Sequence, residues 1–349
     1  MKNKQILRIS ALVLLLAAYL LLQLTSVTVP AADYAQKLAA SQQAQVCFDA
    51  IKALKEQRGL SIDAASDVNR TGMIGLDYSF ITTTIGNLES KRTSTNPNMA
   101  AVVVDMFTEL GLKPGDQIAI NCSGSFPALN IAVLCAAEQM QLEPYLISSF
   151  GASTHGANDP ELTWLDMEHY LNEQGLLFHS SDLYSIGGME DVGKEMDPGL
   201  RESIVNRISG YGYELFYDED LIHNVLTRYE IYKDQGDVKC FVNVGGNDAS
   251  FGDSNIMVHA EGGILTALPE KDNSTGLVQL FLKDGIPVIH LLNMKSLVTE
   301  YGLPIDPVPL PQPGEGGVFS EIQYRTWIAF FGLFSSAVLL WMSREKRTR

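Results

Sequence analysis

Two long apolar runs, one at each end of the 349-residue chain, constrain it more than any other feature. Residues 6–24 read ILRISALVLLLAAYLLLQL, 19 residues interrupted by Arg8, Ser10 and Gln23. Spanning the hydrocarbon core of a bilayer takes about 20 residues at 1.5 Å each. Lys2, Lys4 and Arg8 stand at its start and no basic residue follows until Lys37, which by the positive-inside rule puts the N-terminus in the cytoplasm. A cleaved signal peptide competes with this, because Val29-Pro30-Ala31-Ala32 offers small residues near a cleavage position. The length of the run and the absence of a lipobox cysteine favour an uncleaved anchor. Residues 322–342 mirror the pattern, with Tyr324, Trp327 and Trp341 near the two interfaces and Arg344, Lys346, Arg347 and Arg349 beyond. Aromatic belts and a basic tail mark a stop-transfer segment. Two buried core helices would leave the basic outer flanks unexplained. The expectation is therefore a cell-membrane protein with cytoplasmic tails at 1–5 and 343–349, and everything between the spans extracytoplasmic.

Charge follows the same division. Residues 30–324 hold 17 basic and 40 acidic side chains, a net of −23. A surface that negative repels nucleic acid and anionic headgroups, so nucleic acid is excluded as a partner and the lipid bilayer is met through the spans. The four cysteines, Cys47, Cys122, Cys135 and Cys240, show neither CxxC nor metal-ligand spacing and are too few for a disulfide framework. Buried, unpaired thiols are the expected state, with a single bridge as the alternative. The histidines at 155, 169, 179, 223, 259 and 290 form no HExxH pattern. No metal site is expected, and the cofactor question stays open.

Between the spans, residues 33–59 read as a helical stalk or a helix packed on the domain, stopped by Gly59. Residues 60–95 resist assignment apart from an expected strand at 73–78. The pattern is then regular: helix from Asn96-Pro97 to 110, strand 117–121, helix 127–140, strand 145–149, helix 160–173, strand 176–178, helix 199–209, strand 214–217, helix 218–233, strand 238–244, helix 274–283, strand 286–292 and helix 294–301. Alternating strands and helices predict an α/β fold, a mostly parallel doubly wound sheet in one extracytoplasmic domain (60–303) flanked by two transmembrane helices. Residues 304–317 hold five prolines and three glycines and lead, as an extended linker (304–321), into the second span.

Ligands of such sheets sit at the carboxyl ends of the strands, which selects three loops. The first holds Ser123, Gly124 and Ser125 before a helix whose first amides can receive an anion or oxyanion. Either serine becomes a candidate nucleophile if a histidine base lies within reach. Neither fits the G-x-S-x-G elbow, and a helix cap with a tight turn explains the run equally. The second, 148–155, contains Ser153 and Thr154 and precedes Glu161, Trp164, Asp166 and Glu168. Trp164 and Glu168, four apart, share a helix face, expected to be solvated, with a carbohydrate, peptide or divalent-cation site as the alternative. The third contains Gly245, Gly246, Asn247, Asp248 and Ser250, suited to a ligand or to Asx turns; it is neither a dinucleotide fingerprint nor a Walker loop. Lys91-Arg92, the sole adjacent basic pair of residues 30–324, reads either as an ordinary surface pair or as a place to hold a carboxylate.

The runs GNLESKRTSTNP (86–97), CSGSFPALNIA (122–132), SSFGASTHGANDPELTWLDME (148–168), VNVGGNDASFG (242–252) and IPVIHLLNMKSLVTEYGLPIDP (286–307) resemble the poly-gamma-glutamate system protein family. The resemblance covers most of the region between the spans. It implies an accessory role in bacterial capsule-polymer synthesis, export or processing, with membrane proteins of that machinery and the anionic polymer as partners; it implies no catalytic mechanism. A hydrolase or transferase of γ-glutamyl amide bonds, and a polymer-binding module without catalysis, are the alternatives.

Overall fold

The computed structural model describes residues 2–252, 262–268 and 274–344; His259 and the basic tail beyond Arg344 lie outside the described residues. The chain divides into two units, 1–32 with 320–349, and 33–319.

In the first unit, α1 (Lys2–Leu24) leads to β1 (Val27–Pro30), which pairs antiparallel with β9 (Ser320–Gln323) ahead of α12 (Thr326–Met342). The 21 residues Lys4–Leu24 are long and apolar enough to cross a membrane. Leu12 and Leu16 of α1, and Phe330 and Phe334 of α12, are more than half exposed. The expected span 322–342 is not one helix: Ile322 lies in β9 opposite Thr28, and α12 has 17 residues. Small residues let α1 and α12 approach, since a Cβ on Gly332 would stand 2.5 Å from the Ala18 Cβ and Ser336 Oγ donates to Ala11 O at 3.1 Å.

The second unit is built on a seven-stranded sheet of β2 (Gln117–Ser123), β3 (Glu143–Ser149), β4 (Leu183–Ser185), β5 (Glu214–Leu215), β6 (Val238–Val244), β7 (Gly263–Leu265) and β8 (Val288–Leu291), ordered β5-β4-β3-β2-β6-β8-β7. All neighbours run parallel except β7, antiparallel to β8. The central strands are apolar on both sides, as a sheet covered on both faces requires. Ile118, Ile120 and Cys122 of β2 point into the larger core, and Ala119 into the smaller one opposite.

Helices cover the two faces in turn. α2 (Tyr34–Arg58), α4 (Met99–Glu109), α5 (Pro127–Gln139), α6 (Trp164–Glu173), α7 (Pro198–Gly210) and α11 (Met294–Glu300) supply the larger core. α8 (Leu221–Asp234), α9 (Asp248–Phe251) and α10 (Leu277–Lys283) supply the smaller. The chain steps outward from β2 to β5, then returns to β6 on the other side of β2 while its helices change face. That reversal places the topological switch point between β2 and β6.

Several expectations need correction. Of the two readings of 33–59, stalk or packed helix, the structure has the second: α2, whose Ala44, Cys47, Phe48 and Ile51 are buried in the larger core, ends at Gly59 in the left-handed region (φ +69°). Residues 73–78 form no strand and lie against the 155–158 loop, with Gly75 N donating to His155 O and Leu76 N to Asn158 Oδ1. Residues 176–178 form no strand either; β4 pairs with β3 a few residues later. The 304–317 segment is a strap packed on the unit, not a free linker: Pro307 O accepts from Asn69 Nδ2, Gln312 O from Asn98 Nδ2, and Arg92 pairs with Asp306. All four cysteines are buried and free.

Candidate functional site

The loops leaving β2, β3, β6 and β8 converge at the switch point with the irregular segment 83–87 and α3 (Leu88–Ser94). They line two adjoining cavities of about 470 Å³ and 230 Å³, the first of them within the range of small-ligand sites. Thr84, Ser125 and Gly246 line both. The larger is walled by Asn87, Ser90, Lys91, Phe126, Ser153, Phe251 and Asn293 among others; the smaller adds Ser123, Asn247, Asp248 and Glu195.

Lys91 is the central side chain. Asn87 caps α3 by accepting from Ser90 N at 2.9 Å, and the helix then carries Lys91 inward, where it is buried. Its Nζ donates to the carbonyl oxygen of Ser125, lies 2.7 Å from Ser153 Oγ and sits 4.0 Å above the Phe126 ring. No carboxylate is bonded to it among the described residues. Burial therefore dominates and lowers its pKa to about 7. Arg92, its neighbour, turns outward to a bidentate pair with Asp306 of the strap. The expected surface pair does not exist: one member is enclosed and the other is neutralised.

The two serines of the first loop differ. Ser123 Oγ is buried and has no hydrogen-bond partner among the described residues, while Ser125 Oγ accepts from Ser153 N at 3.1 Å. No histidine is hydrogen-bonded to either among the described residues. Gly124 serves a close approach, because a Cβ there would stand 2.6 Å from Phe150 O. Thr154 holds the rim: its Oγ1 accepts from Gly86 N at 2.8 Å and its N–H donates to Thr84 O at 2.9 Å. Gly245 adopts φ +86°, beside Ser123 Oγ. Asn247 Oδ1 caps α9 through Ser250 N at 2.9 Å, leaving its Nδ2 buried and unpaired among the described residues. Asp248 accepts from Glu190 N at 2.8 Å, and burial raises its pKa.

Beneath this floor runs a buried polar network that single-sequence reasoning missed. Asn121 Nδ2 donates to Asn243 Oδ1 and Ser250 Oγ at 3.2 and 2.9 Å. Ser250 Oγ donates to Asn243 Oδ1 at 2.6 Å, and Asn243 Nδ2 reaches Gly245 O at 2.8 Å. Arg228 of α8 joins Asn121 Oδ1 to the buried carboxylate of Asp191, which also receives Asn224 Nδ2 at 3.1 Å and Ser185 Oγ at 3.0 Å. Asp191 titrates above its ordinary range because burial outweighs Arg228. The network fixes the ends of β2 and β6; Ser250 belongs to it, not to the cavity wall.

Trp164 and Glu168 are fully buried, against the expected solvated face. Trp164 Nε1 donates to Ser148 Oγ at 3.3 Å, and Glu168 accepts from Ser181 N and Oγ, both at 2.9 Å. Burial raises Glu168 to about 7. Asp166 closes a capping box with Thr163 and pairs with Arg207. Among the described residues no three His, Cys, Asp or Glu side chains converge as a metal site. Comparison with models of known protein families, with curated proteins and with solved structures finds no match for this chain.

Proposed function

We propose that the protein is a membrane-anchored accessory component of bacterial poly-γ-glutamate synthesis or export, with both termini cytoplasmic and residues 33–319 extracytoplasmic. The apolar α1 with its basic start, the aromatic-rich 322–342 segment and the five quoted runs support this reading. Its second span takes α12 together with the residues before it, under bilayer thinning or snorkelling of Arg325 and Arg344. The ligand of the switch-point cleft is an amide-linked segment of the polymer.

One observation carries the ligand assignment. The larger cavity is lined by hydroxyls, carboxamides, glycine and apolar side chains, with a single lysine whose pKa burial lowers to about 7 and no carboxylate. Such a wall suits a chain of amides. It does not clamp carboxylates, which an acidic domain would repel over a Debye length of about 10 Å at 0.1 M salt. The polymer's carboxylates then stay in solvent while its backbone amides enter.

The test is equilibrium binding of defined γ-glutamate oligomers to the full-length protein in nanodiscs. Expected are an affinity that holds or rises as salt screens the repulsion, and its loss in Thr84→Trp, which fills both cavities from an exposed position. Binding that collapses with salt, or survives Thr84→Trp unchanged, contradicts the assignment.

A further inference from the structure

We propose that Ser153 and Lys91 form a nucleophile–base pair that transfers the acyl group of an amide-linked chain, an inference that rests on that chain occupying the cleft. The two side chains come from different elements, the loop after β3 and α3, and meet at the cavity wall with Nζ and Oγ 2.7 Å apart. A neutral amine has two N–H groups and one lone pair. The Ser125 carbonyl takes one N–H; the nitrogen, which donates to Ser153 Oγ when protonated, has its lone pair free to accept from that hydroxyl once neutral.

The surroundings keep the amine free. On α3 itself, Glu89 pairs with Lys295 of α11 at 2.7 Å and Arg92 with Asp306 of the strap. On the adjoining loop, His155 faces Asp77 at 3.3 Å. None of these supplies a counter-ion to Lys91, and burial leaves much of it deprotonated near pH 7. Gly86 leaves room at the nucleophile: a Cβ there would stand 2.9 Å from Ser153 Oγ and 2.8 Å from Lys91 Cε. Ser125 and Phe126 bring the start of α5 to the same wall. No side chain caps that helix and its first residue, Pro127, has no N–H, so the amides of Ala128 and Leu129 are the ones left for a developing oxyanion.

Ser153 Oγ attacks the carbonyl carbon while its proton passes to Lys91 Nζ, forming a tetrahedral oxyanion. The carbonyl re-forms as the C–N bond breaks, and the departing amine takes the proton from Lys91. An ester on Ser153 remains. Water attacks this ester and loses a proton to Lys91; the acid leaves, and the proton returns to Ser153 Oγ. Both half-reactions need neutral Lys91, so the rate rises with pH through about 7.

The full-length protein in nanodiscs is treated with p-nitrophenyl acetate across pH 6–9, and the adduct is mapped by peptide mass spectrometry. The expected result is one acetyl group on Ser153, formed faster as pH rises through about 7. It is lost in Ser153→Ala and slowed about 100-fold in Lys91→Arg, which keeps a cation but no base. Acetylation of Ser123 or Ser125 instead, a pH-independent rate, or full labelling in Lys91→Arg overturns the pair. Oligomer binding without any Ser153 adduct overturns the pair alone. A Ser153 adduct without oligomer binding overturns only the polymer as ligand.

Discussion

A lysine enclosed without a counter-ion titrates out of step with the unfolded chain. Lys91 loses its proton near pH 7 when folded and near 10.5 when not. Between those values the unfolded state binds more protons, so stability rises with pH, by up to about 1.4 kcal/mol per unit from this group. Lys91→Met removes the ionisation. Denaturant unfolding from pH 7 to 10 is expected to show wild type gaining stability relative to Lys91→Met; parallel curves would mean that Lys91 is solvated. The enclosure was partly legible in sequence, since the positions three and four residues away are Asn87, Leu88, Ser94 and Thr95, none of them acidic. Arg92 has Glu89 three residues back, the mark of an outward face. The partners Ser125 and Ser153 were visible as loop serines, but their meeting with Lys91 depends on folding across 34 and 62 residues.

At the level of elements, the long strands and helices could be read from the chain, as could the short β5 and α11, whereas β4, β7, β9 and α3 could not. β2, β3, β6 and β8 are apolar runs that pair in the core. β4 and β5 have three and two residues and owe their strand state to the neighbour already in place. β7 and β9 are equally dependent on their partners. The 73–87 segment is held without a ladder, by scattered backbone bonds to the 152–155 loop and by Asn158. Its side chain accepts from Leu76 N at 2.9 Å and donates to Leu76 O at 2.9 Å and Thr82 Oγ1 at 3.0 Å. Asn158→Ala leaves buried groups unpaired, an expected loss of about 2–4 kcal/mol. A loss under about 0.5 kcal/mol would show that the segment is fixed by other contacts.

On the scale of the whole molecule, charge, membrane segment and cleft fit one division of labour. Eight of the 25 basic residues lie in the chain's two ends, while residues 30–324 carry a net charge of −23, a field that would repel the anionic polymer proposed above as the product. In the proposed reading, the cleft at the switch point is where neutral, directional contacts would outweigh that field at short range. Its position followed from strand order alone; the lining of segment 83–87 and α3 did not, because those residues carry no periodic signal. The most direct test is hydrogen–deuterium exchange on the full-length protein with and without a defined γ-glutamate oligomer. Protection concentrated in 83–91, 123–126, 151–155 and 245–247 is the expected result. Protection elsewhere with those segments unchanged would contradict the cleft as the polymer site.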